Sequence, residues 1–215
     1  MTIEHYMSYL EKMPLIAILR GIHPEQAIAV SDHIVEAGFT CMEVTLNTKG
    51  WQASIQAIHK RHGNNILLGA GTVLSPKDVT TIKDIGGRII ISPNMDPAVI
   101  QRTKELGLLS APGCYTPTEC FTALSHGADI LKLFPAETLG LPFIKATKSV
   151  LPPNTHICPT GGVTPDNMKT FLEAGVFALG IGSAIFKPGK TLTDIRSSAD
   201  KFAKKFIEFS DQNKI

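Results

Sequence analysis

Short β-type runs alternate with helical segments along the chain, and this alternation limits the possible folds more than any other feature of the sequence. The predicted strands are rich in β-branched and apolar residues. They cover residues 15–21, 41–47, 66–72, 88–94, 108–114, 129–135, 156–162 and 177–186. The segments between them have helical features: residues 24–38, for example, begin with Pro24, place apolar residues at helical spacing and end at Gly38. Strands that alternate with helices of this length are typical of βαβ units in a parallel sheet.

Eight such units predict an α/β fold of the (β/α)8 TIM-barrel type, in which a closed parallel sheet is surrounded by helices. We expect a single domain over residues 1–215, with an additional helix before the first strand, because neither a linker nor a low-complexity segment interrupts the chain. A doubly wound open sheet is the competing fold. Its dinucleotide-binding form would need a GxGxxG motif at the first helix, whereas the stretch LRGIHPEQ has a single glycine.

The composition excludes several classes of partner and location. Lys and Arg number 21 and Asp and Glu 19, and this formal charge of +2 is too weak to predict binding to nucleic acid or to a membrane surface. No apolar run reaches the roughly 18 residues of a membrane span, and the first 14 residues lack the apolar core of a signal peptide. The scattered cysteines form no CxxC pair, so we expect a reduced, cytoplasmic protein. They are Cys41, Cys114, Cys120 and Cys158.

Lys132 interrupts the apolar strand segment ILKLF, where a charged side chain is unusual. It lies toward the carboxyl end of the sixth predicted strand, where barrels carry their active sites, and Phe134 is on the same strand face. One explanation is structural: the stem of the lysine packs while its ammonium reaches solvent or a structural carboxylate. The other is functional, because burial lowers the pKa of an amine and a neutral amine forms Schiff bases with carbonyl compounds.

Two further charged residues lie at the same predicted end of the barrel. Glu43, in CMEVTLN, is either a salt-bridge partner of Lys132 or Arg20, or a general acid and base whose pKa is raised by burial. The two roles are compatible, since a group that transfers protons to an amine must lie near it. Arg20 ends the first strand and either caps backbone carbonyls or offers its planar guanidinium to a carboxylate or phosphate.

Glycine-rich turns follow the seventh and eighth strands. Backbone N–H groups exposed at such turns bind anions, and the loops after strands seven and eight hold phosphate in many barrels. Either turn alone is a weak signal, but the two together predict a phosphorylated ligand, with hydroxyl groups of neighbouring residues as further donors. The residues are Thr160, Gly161 and Gly162 in PTGGVTPDN, and Gly182 and Ser183 in LGIGSAIF.

The remaining strand-end residues give weaker signals. Thr72, in GAGT, either marks close packing between a strand and a helix or directs a hydroxyl into the mouth of the barrel. Pro93, after a strand, is typical of a loop. The histidines lie mostly on predicted helices and loops without the spacing of metal ligands, so we expect no metal site.

Seven motifs in order along the chain resemble those of the class I 2-keto-3-deoxy-6-phosphogluconate (KDPG) and 2-keto-3-deoxy-6-phosphogalactonate (KDPGal) aldolases. The resemblance covers roughly residues 14–190. LRG, LNTKGW and FTAL are similar to the galactonate type, whereas FPAE and CPTGG are similar to the gluconate type, so both C4 epimers remain open as substrates. The motifs are EVTLNT, GAGTVL, ISPN, PGCYTPTE, LKLFPAE, PTGGVTPDN and GSAIF.

The resemblance implies a role for each candidate residue. Lys132 would form the Schiff base and Glu43 would be the acid and base. A second group would surround the pyruvate portion and substrate carboxylate: Arg20, Thr72, Pro93, Phe134 and Thr160. A third would bind phosphate: Gly161, Gly162, Gly182 and Ser183. The family further implies a homotrimer that needs no metal or organic cofactor. Asn47 stands where some gluconate-type members carry the arginine for the substrate carboxylate, and Arg20 resembles the arginine that other members use.

The mechanism implied is cleavage of the phosphorylated keto sugar acid to pyruvate and D-glyceraldehyde 3-phosphate through an iminium on Lys132. One alternative is a barrel epimerase acting on a phosphosugar, which would need a second acid or base, or a metal, opposite Glu43. Another is a barrel that binds phosphosugars without catalysis and gains thermal stability from them without releasing pyruvate.

Overall fold

The computed structural model describes residues 2–213. Within them, α-helices follow the strands in regular succession. The strands are β1 (Leu15–Ile18), β2 (Cys41–Thr45), β3 (Leu67–Gly71), β4 (Ile89–Ile91), β5 (Leu109–Ala111), β6 (Gly113–Cys114), β7 (Ile130–Leu133), β8 (His156–Pro159) and β9 (Leu179–Ile181). The helices are α1 (Ile3–Lys12), α2 (Pro24–Glu36), α3 (Trp51–His62), α4 (Pro76–Asp84), α5 (Pro97–Glu105), α6 (Pro117–Ser125), α7 (Ala136–Val150), α8 (Met168–Glu173) and α9 (Leu192–Asn213), with a short 3₁₀ helix at Gly63–Asn65.

Every strand lies inside a segment predicted as a strand, and the expected N-terminal helix is α1. The fifth predicted strand is divided into β5 and β6 at Pro112, because proline has no N–H to donate to a strand ladder. Helix α7 begins five residues before the predicted start at residue 141. Gly140 interrupts it with a φ of 72° and a ψ of 162°, so the predicted helix corresponds to the part after this break.

The strands form two parallel sheets. A six-stranded sheet has the order β5-β4-β3-β2-β1-β9, and a three-stranded sheet has the order β6-β7-β8. Contacts on both sides connect the sheets. On one side the N–H of Asp129 donates to the carbonyl of Ser110 at 3.0 Å, and on the other a parallel bridge joins Thr160 to Gly180. The predicted α/β class with parallel strands is confirmed, while closure into one barrel stays a prediction.

Prolines and capping residues define where the helices begin after the strands. Helices α2, α4, α5 and α6 each have proline in the first turn, where its missing N–H costs nothing. Thr116 and Glu119 form a capping box at α6, in which the Thr116 hydroxyl accepts from the Glu119 N–H and the Glu119 carboxylate accepts from the Thr116 N–H. The carboxyl ends of β1, β3, β4 and β6 are therefore followed by short turns with a well-defined helix start.

Two apolar clusters lie on opposite faces of the strands. The larger one packs helices against the outer face and includes the fully buried Phe39 and Phe202. The smaller one contains Cys41 of β2 and Ile130 of β7, and α1 packs against it through Leu10. Because side chains alternate along a strand, Glu43 shares its face with Cys41, and Lys132 shares its face with Ile130. Both charged residues therefore lie on the inner face of the strands, next to this smaller cluster.

The helices of residues 2–213 include none with the length and apolar character needed to cross a membrane.

Candidate active site

Lys132 and Glu43 line one small pocket at the inner face of the strands. Only 5% of the Lys132 surface and 1% of the Glu43 surface are exposed, so both side chains are withdrawn from water. The other lining residues are apolar or weakly polar: Ile16, Ile18, Ile91, Ala111, Cys158, Thr160 and Gly180. The structure therefore brings the predicted amine and the predicted carboxyl group together in a nearly dry site.

Burial controls the protonation of both groups. Loss of hydration lowers the pKa of the Lys132 ammonium, an effect that the charge of Glu43 partly opposes. Loss of hydration likewise raises the pKa of the Glu43 carboxyl, and here the charges of Lys132 and Arg20 oppose the shift. The neutral amine and the protonated acid are consequently both more accessible near neutral pH than in water. These are the forms that a nucleophile and a general acid need.

A glycine on the neighbouring strand makes the room that Glu43 occupies. A Cβ atom added to Gly71 of β3 would lie 2.5 Å from the carboxyl carbon of Glu43 and 2.5 and 2.6 Å from its two oxygens. Among the described residues, the Oε2 atom of Glu43 has no hydrogen-bond partner although it is buried. A buried, unpartnered carboxyl oxygen is costly, and it is available to a bound substrate or water.

Phe134 and Cys158 are the neighbours of the Lys132 amine, and neither competes with it as a nucleophile. Its Nζ lies 4.8 Å from the centre of the Phe134 ring, a cation–π distance for the charged form. Cys158 is the register partner of Lys132 on β8. Burial raises the pKa of the Cys158 thiol to about 12, so this sulfur stays protonated and weakly nucleophilic.

A larger cavity of ≈ 780 Å³ opens beside the small pocket. The two share Ile18 and Thr160, so the larger cavity lies directly beside the pocket that holds the Lys132 amine. Seven of the predicted site residues line the larger cavity: Arg20, Phe134, Thr160, Gly161, Gly162, Gly182 and Ser183. The turn after β8 and the turn after β9 thus meet at one cavity, as expected from parallel strands with a common carboxyl edge.

The backbone of the two glycine turns is suited to an anion. Gly161 and Gly162 have φ values of 102° and 71°, which favour glycine over any other residue. The Asn167 amide donates to the Gly162 carbonyl at 2.8 Å and thereby fixes this turn. Within residues 2–213, the hydrogen bonds of the chain do not use the N–H groups of Gly162 and Ser183. These donors are therefore available to phosphate oxygens.

Two predicted residues lie outside the linings of both cavities. Thr72 directly follows β3 and has a φ of 59°, a strained backbone conformation for threonine. Pro93 comes two residues after β4 and is half-buried. Both are at the carboxyl edge of the six-stranded sheet, and their contact with substrate stays a prediction.

The larger cavity also contains residues that sequence reasoning missed. Lys187, Glu137 and Thr164 line it together with the predicted set. Lys187 follows the GSAIF motif, so a search for cations shortly after a predicted phosphate turn would have found it. Glu137 is the last residue of the FPAE motif, and nothing in its spacing distinguished it from a solvated helix residue. In the structure its side chain packs against Gly162. A Cβ atom added to Gly162 would lie 2.6 Å from the Glu137 Cβ, so only glycine fits there.

Comparison with known proteins agrees with this geometry. The model of the family "KDPG and KHG aldolase" matches residues 6–195. The 2-dehydro-3-deoxy-6-phosphogalactonate aldolase of Escherichia coli (strain K12) is 41% identical, over 94% of this chain and 98% of that protein. A probable 2-dehydro-3-deoxy-6-phosphogalactonate aldolase of Rhizobium meliloti (strain 1021) is 42% identical, over 86% of this chain and 88% of that protein. The solved structure described as native KDPGal superposes with a TM-score of 0.91 at 41% identity, covering 93% of this chain and 97% of that chain. The predicted family is confirmed: the chain belongs to the KDPG and KHG aldolases, which are lyases.

Proposed function

We propose that this aldolase cleaves 2-dehydro-3-deoxy-6-phosphogalactonate to pyruvate and D-glyceraldehyde 3-phosphate by a class I, Schiff-base mechanism. The observation that carries the proposal is the buried pair of Lys132 and Glu43, which lies beside a cavity lined by two glycine turns. Other arrangements of polar residues could bind a sugar acid. A nearly dry amine beside a carboxyl group is what amine-based carbon–carbon cleavage specifically requires.

The first proposed step is addition of the neutral Lys132 amine to the C2 ketone of the substrate. A carbinolamine forms, and it loses water to give an iminium ion. The lowered pKa of Lys132 supports this role, since the ammonium form has no lone pair for the attack. The protonated Glu43 carboxyl group gives a proton to the departing hydroxyl of the carbinolamine, and its raised pKa supports that role.

Glu43, now ionised, then takes the proton of the C4 hydroxyl group, through a water where the distance requires it. The C4 oxygen becomes a carbonyl, the C3–C4 bond breaks, and its electron pair moves into the iminium to give an enamine. Glyceraldehyde 3-phosphate leaves. Protonation of the enamine at its terminal carbon and hydrolysis of the resulting iminium release pyruvate and regenerate the Lys132 amine. The same carboxyl group thus alternates between acid and base.

The outer cavity is proposed to hold the two ends of the substrate. Arg20 would pair with the substrate carboxylate through its guanidinium group, and the residues Thr72, Pro93, Phe134 and Thr160 would surround the pyruvate portion. The phosphate group would accept hydrogen bonds from the turns that contain Gly161, Gly162, Gly182 and Ser183. The unused N–H groups of Gly162 and Ser183 support this assignment. Lys187, at the same cavity, adds a positive charge.

The galactonate epimer is proposed as the substrate because the curated relatives with 41% and 42% identity bear that name. The gluconate epimer differs only at C4, where the hydroxyl group would meet a different set of hydrogen-bond partners. A site built to bond one orientation of a hydroxyl group discriminates against the other when its polar groups are left unpaired.

A coupled assay tests both the reaction and the epimer. Purified chain is mixed with each epimer and with lactate dehydrogenase, which reports released pyruvate. We expect pyruvate release from both epimers to depend on Lys132, and we expect a higher kcat/KM for the galactonate epimer. Lys132→Met should abolish turnover, while Lys145→Met, at an exposed lysine of α7, should leave it unchanged. Binding and thermal stabilisation without pyruvate would refute catalysis and indicate a sugar-binding barrel, and normal turnover by Lys132→Met would refute the Schiff base.

The architecture is proposed to be a single domain in which the two sheets close into one eight-stranded barrel. The hydrogen bond between Asp129 and Ser110 supports closure on one side, and the bridge between Thr160 and Gly180 supports it on the other. In this arrangement β5 and β6 together act as the fifth strand. Closure would remove the sheet edges and place Lys132 and Glu43 in a common interior.

A homotrimer and a cytoplasmic location complete the proposal. The resemblance to the family supports the trimer, and large apolar side chains at Leu74, Tyr115 and Phe121, which are 55%, 44% and 46% exposed, are available for subunit contacts. Light scattering after gel filtration should give three times the chain mass of 23.2 kDa, and a monomer would contradict the proposal. Four free cysteines, all buried, support a reducing compartment.

A further inference from the structure

The loop between β9 and α9 forms one wall of the larger cavity, and its first part is a tight turn. The N–H groups of Ile185 and Phe186 both donate to the carbonyl of Gly182, at 2.9 and 3.1 Å. No backbone N–H within the loop donates to the carbonyl groups of Ala184 and Ile185. Ser183 and Ala184 of this turn both line the cavity.

Lys190, near the end of the same loop, binds both of those carbonyls. Its Nζ donates to the Ala184 carbonyl at 2.8 Å and to the Ile185 carbonyl at 2.8 Å. A third bond of 2.7 Å goes to the Ser198 hydroxyl on α9. An ammonium group has three N–H donors, so every donor of Lys190 is used, and the turn is connected to a long helix through one cation.

The charge of Lys190 has an unusual environment. The side chain is half-buried, and loss of hydration lowers its pKa. Among the ion pairs of residues 2–213, none includes Lys190, so its immediate partners are neutral oxygens. The charge of Asp194 partly opposes this pKa shift without forming an ion pair with Lys190. The direct hydrogen-bond partners of the ammonium are therefore the two loop carbonyls and the Ser198 hydroxyl.

We propose that Lys190 is a positioning residue for phosphate recognition, which holds the turn at Ser183 in the conformation that receives the phosphate group. The inference rests on the proposed function and deepens it. By donating to the carbonyls of Ala184 and Ile185, Lys190 occupies these two acceptors, so the phosphate meets N–H and hydroxyl donors of the turn and not its free carbonyl oxygens. Lys190 does not itself line the cavity, which separates its role from that of Lys187.

The test compares the phosphorylated substrate with 2-dehydro-3-deoxygalactonate, the same sugar acid without phosphate. Lys190→Met removes the ammonium and keeps a long side chain. We expect its kcat/KM for the phosphorylated substrate to fall about tenfold, mainly through KM, because hydrogen bonds to a charged group are lost or misaligned. Its kcat/KM for the unphosphorylated acid should stay unchanged. The ratio of the two values therefore reports on the phosphate site alone, which a general loss of folding would not change.

Two matched variants sharpen the comparison. Lys190→Arg keeps a cation with several N–H donors and should retain most of the wild-type ratio. Ser198→Ala removes the third partner while leaving both carbonyl contacts, and should leave the ratio unchanged. If Lys190→Met does not fold, Lys190→Gln, which can donate to one carbonyl, is measured in the same way and should lower the ratio.

The outcomes separate the inference from the function on which it rests. Equal losses on both acids, an unchanged ratio in Lys190→Met, or an equally low ratio in Ser198→Ala would overturn the positioning role while the wild type remains an active aldolase. A wild type that releases no pyruvate from the phosphorylated acid would overturn the proposed function, and the inference with it.

Discussion

Gly71→Ala should reduce turnover by displacing Glu43 while leaving the fold intact. The added methyl group would lie 2.5 Å from the carboxyl carbon of Glu43, well inside van der Waals contact. Gly71 does not have a positive φ, so alanine fits the local backbone without strain. The group that must move is the end of a side chain, which relocates more easily than a strand.

The size of the effect follows from the distance. Ordinary contact begins near 3.4 Å, so the carboxyl group must shift by about 1 Å, and a displacement of that size costs on the order of 100-fold in rate. The assay is the steady-state kcat for pyruvate release, together with thermal unfolding of the same preparation. Gly69→Ala, two residues earlier on β3, is the contrasting variant, because its methyl group would overlap the backbone carbonyl of Ile89. It should destabilise the protein by about 1–3 kcal/mol, and Gly71→Ala should destabilise it less.

A double-mutant cycle decides whether the loss passes through Glu43. If Gly71→Ala acts by displacing the carboxyl group, it should cost little further activity when Glu43 is already Gln. Independent, multiplicative losses from the two substitutions would refute the reasoning. So would a Gly71→Ala variant with full activity, since the carboxyl position would then be irrelevant to the reaction.

Two further predictions concern the electrostatics of the pocket and the core. Because the charge of Glu43 raises the pKa of Lys132, Glu43→Gln should shift the midpoint of the pH dependence of pyruvate trapping by cyanoborohydride to lower pH; an upward shift or none would contradict this. In the wild type that midpoint should lie below the ordinary lysine value of 10.5, with trapping increasing as pH rises through it. Phe202→Ala should lower the free energy of unfolding in urea by about 3–5 kcal/mol, whereas Ile207→Ala, at a residue 52% exposed on the same helix, should change it by less than about 0.5 kcal/mol.

The sequence was sufficient to predict the alternation of strands and helices because the apolar runs and the Pro and Gly boundaries are local signals. It also predicted the pairing of Lys132 with Glu43, since a charged residue in an apolar strand is conspicuous and parallel strands bring their carboxyl ends together. The division of the fifth strand could have been anticipated from Pro112. The early start of α7 could not, because Gly140 and Pro142 favour a loop up to residue 141.

Other parts of the site depend on tertiary contacts that no local pattern records. Gly71 is an ordinary strand glycine in the sequence. That it makes room for the Glu43 carboxyl group follows only from the contact between β2 and β3 in the folded chain. Lys190 likewise resembles a solvated loop lysine in the sequence, and only the folded chain brings its three oxygen partners to it. Thr72 was a candidate from its place at a strand end and Pro93 from the resemblance, and neither lines the two cavities beside Lys132.

Covalent trapping of pyruvate on the protein tests the central claim, that Lys132 is a reactive amine, most directly. The chain is incubated with pyruvate and borohydride, digested and examined by peptide mass spectrometry. A reduced three-carbon adduct should be found on Lys132, while Lys145 and other exposed lysines should remain unmodified, and it should be missing in Lys132→Met. An adduct on a different lysine, or an active enzyme from which no adduct can be trapped, would contradict the account.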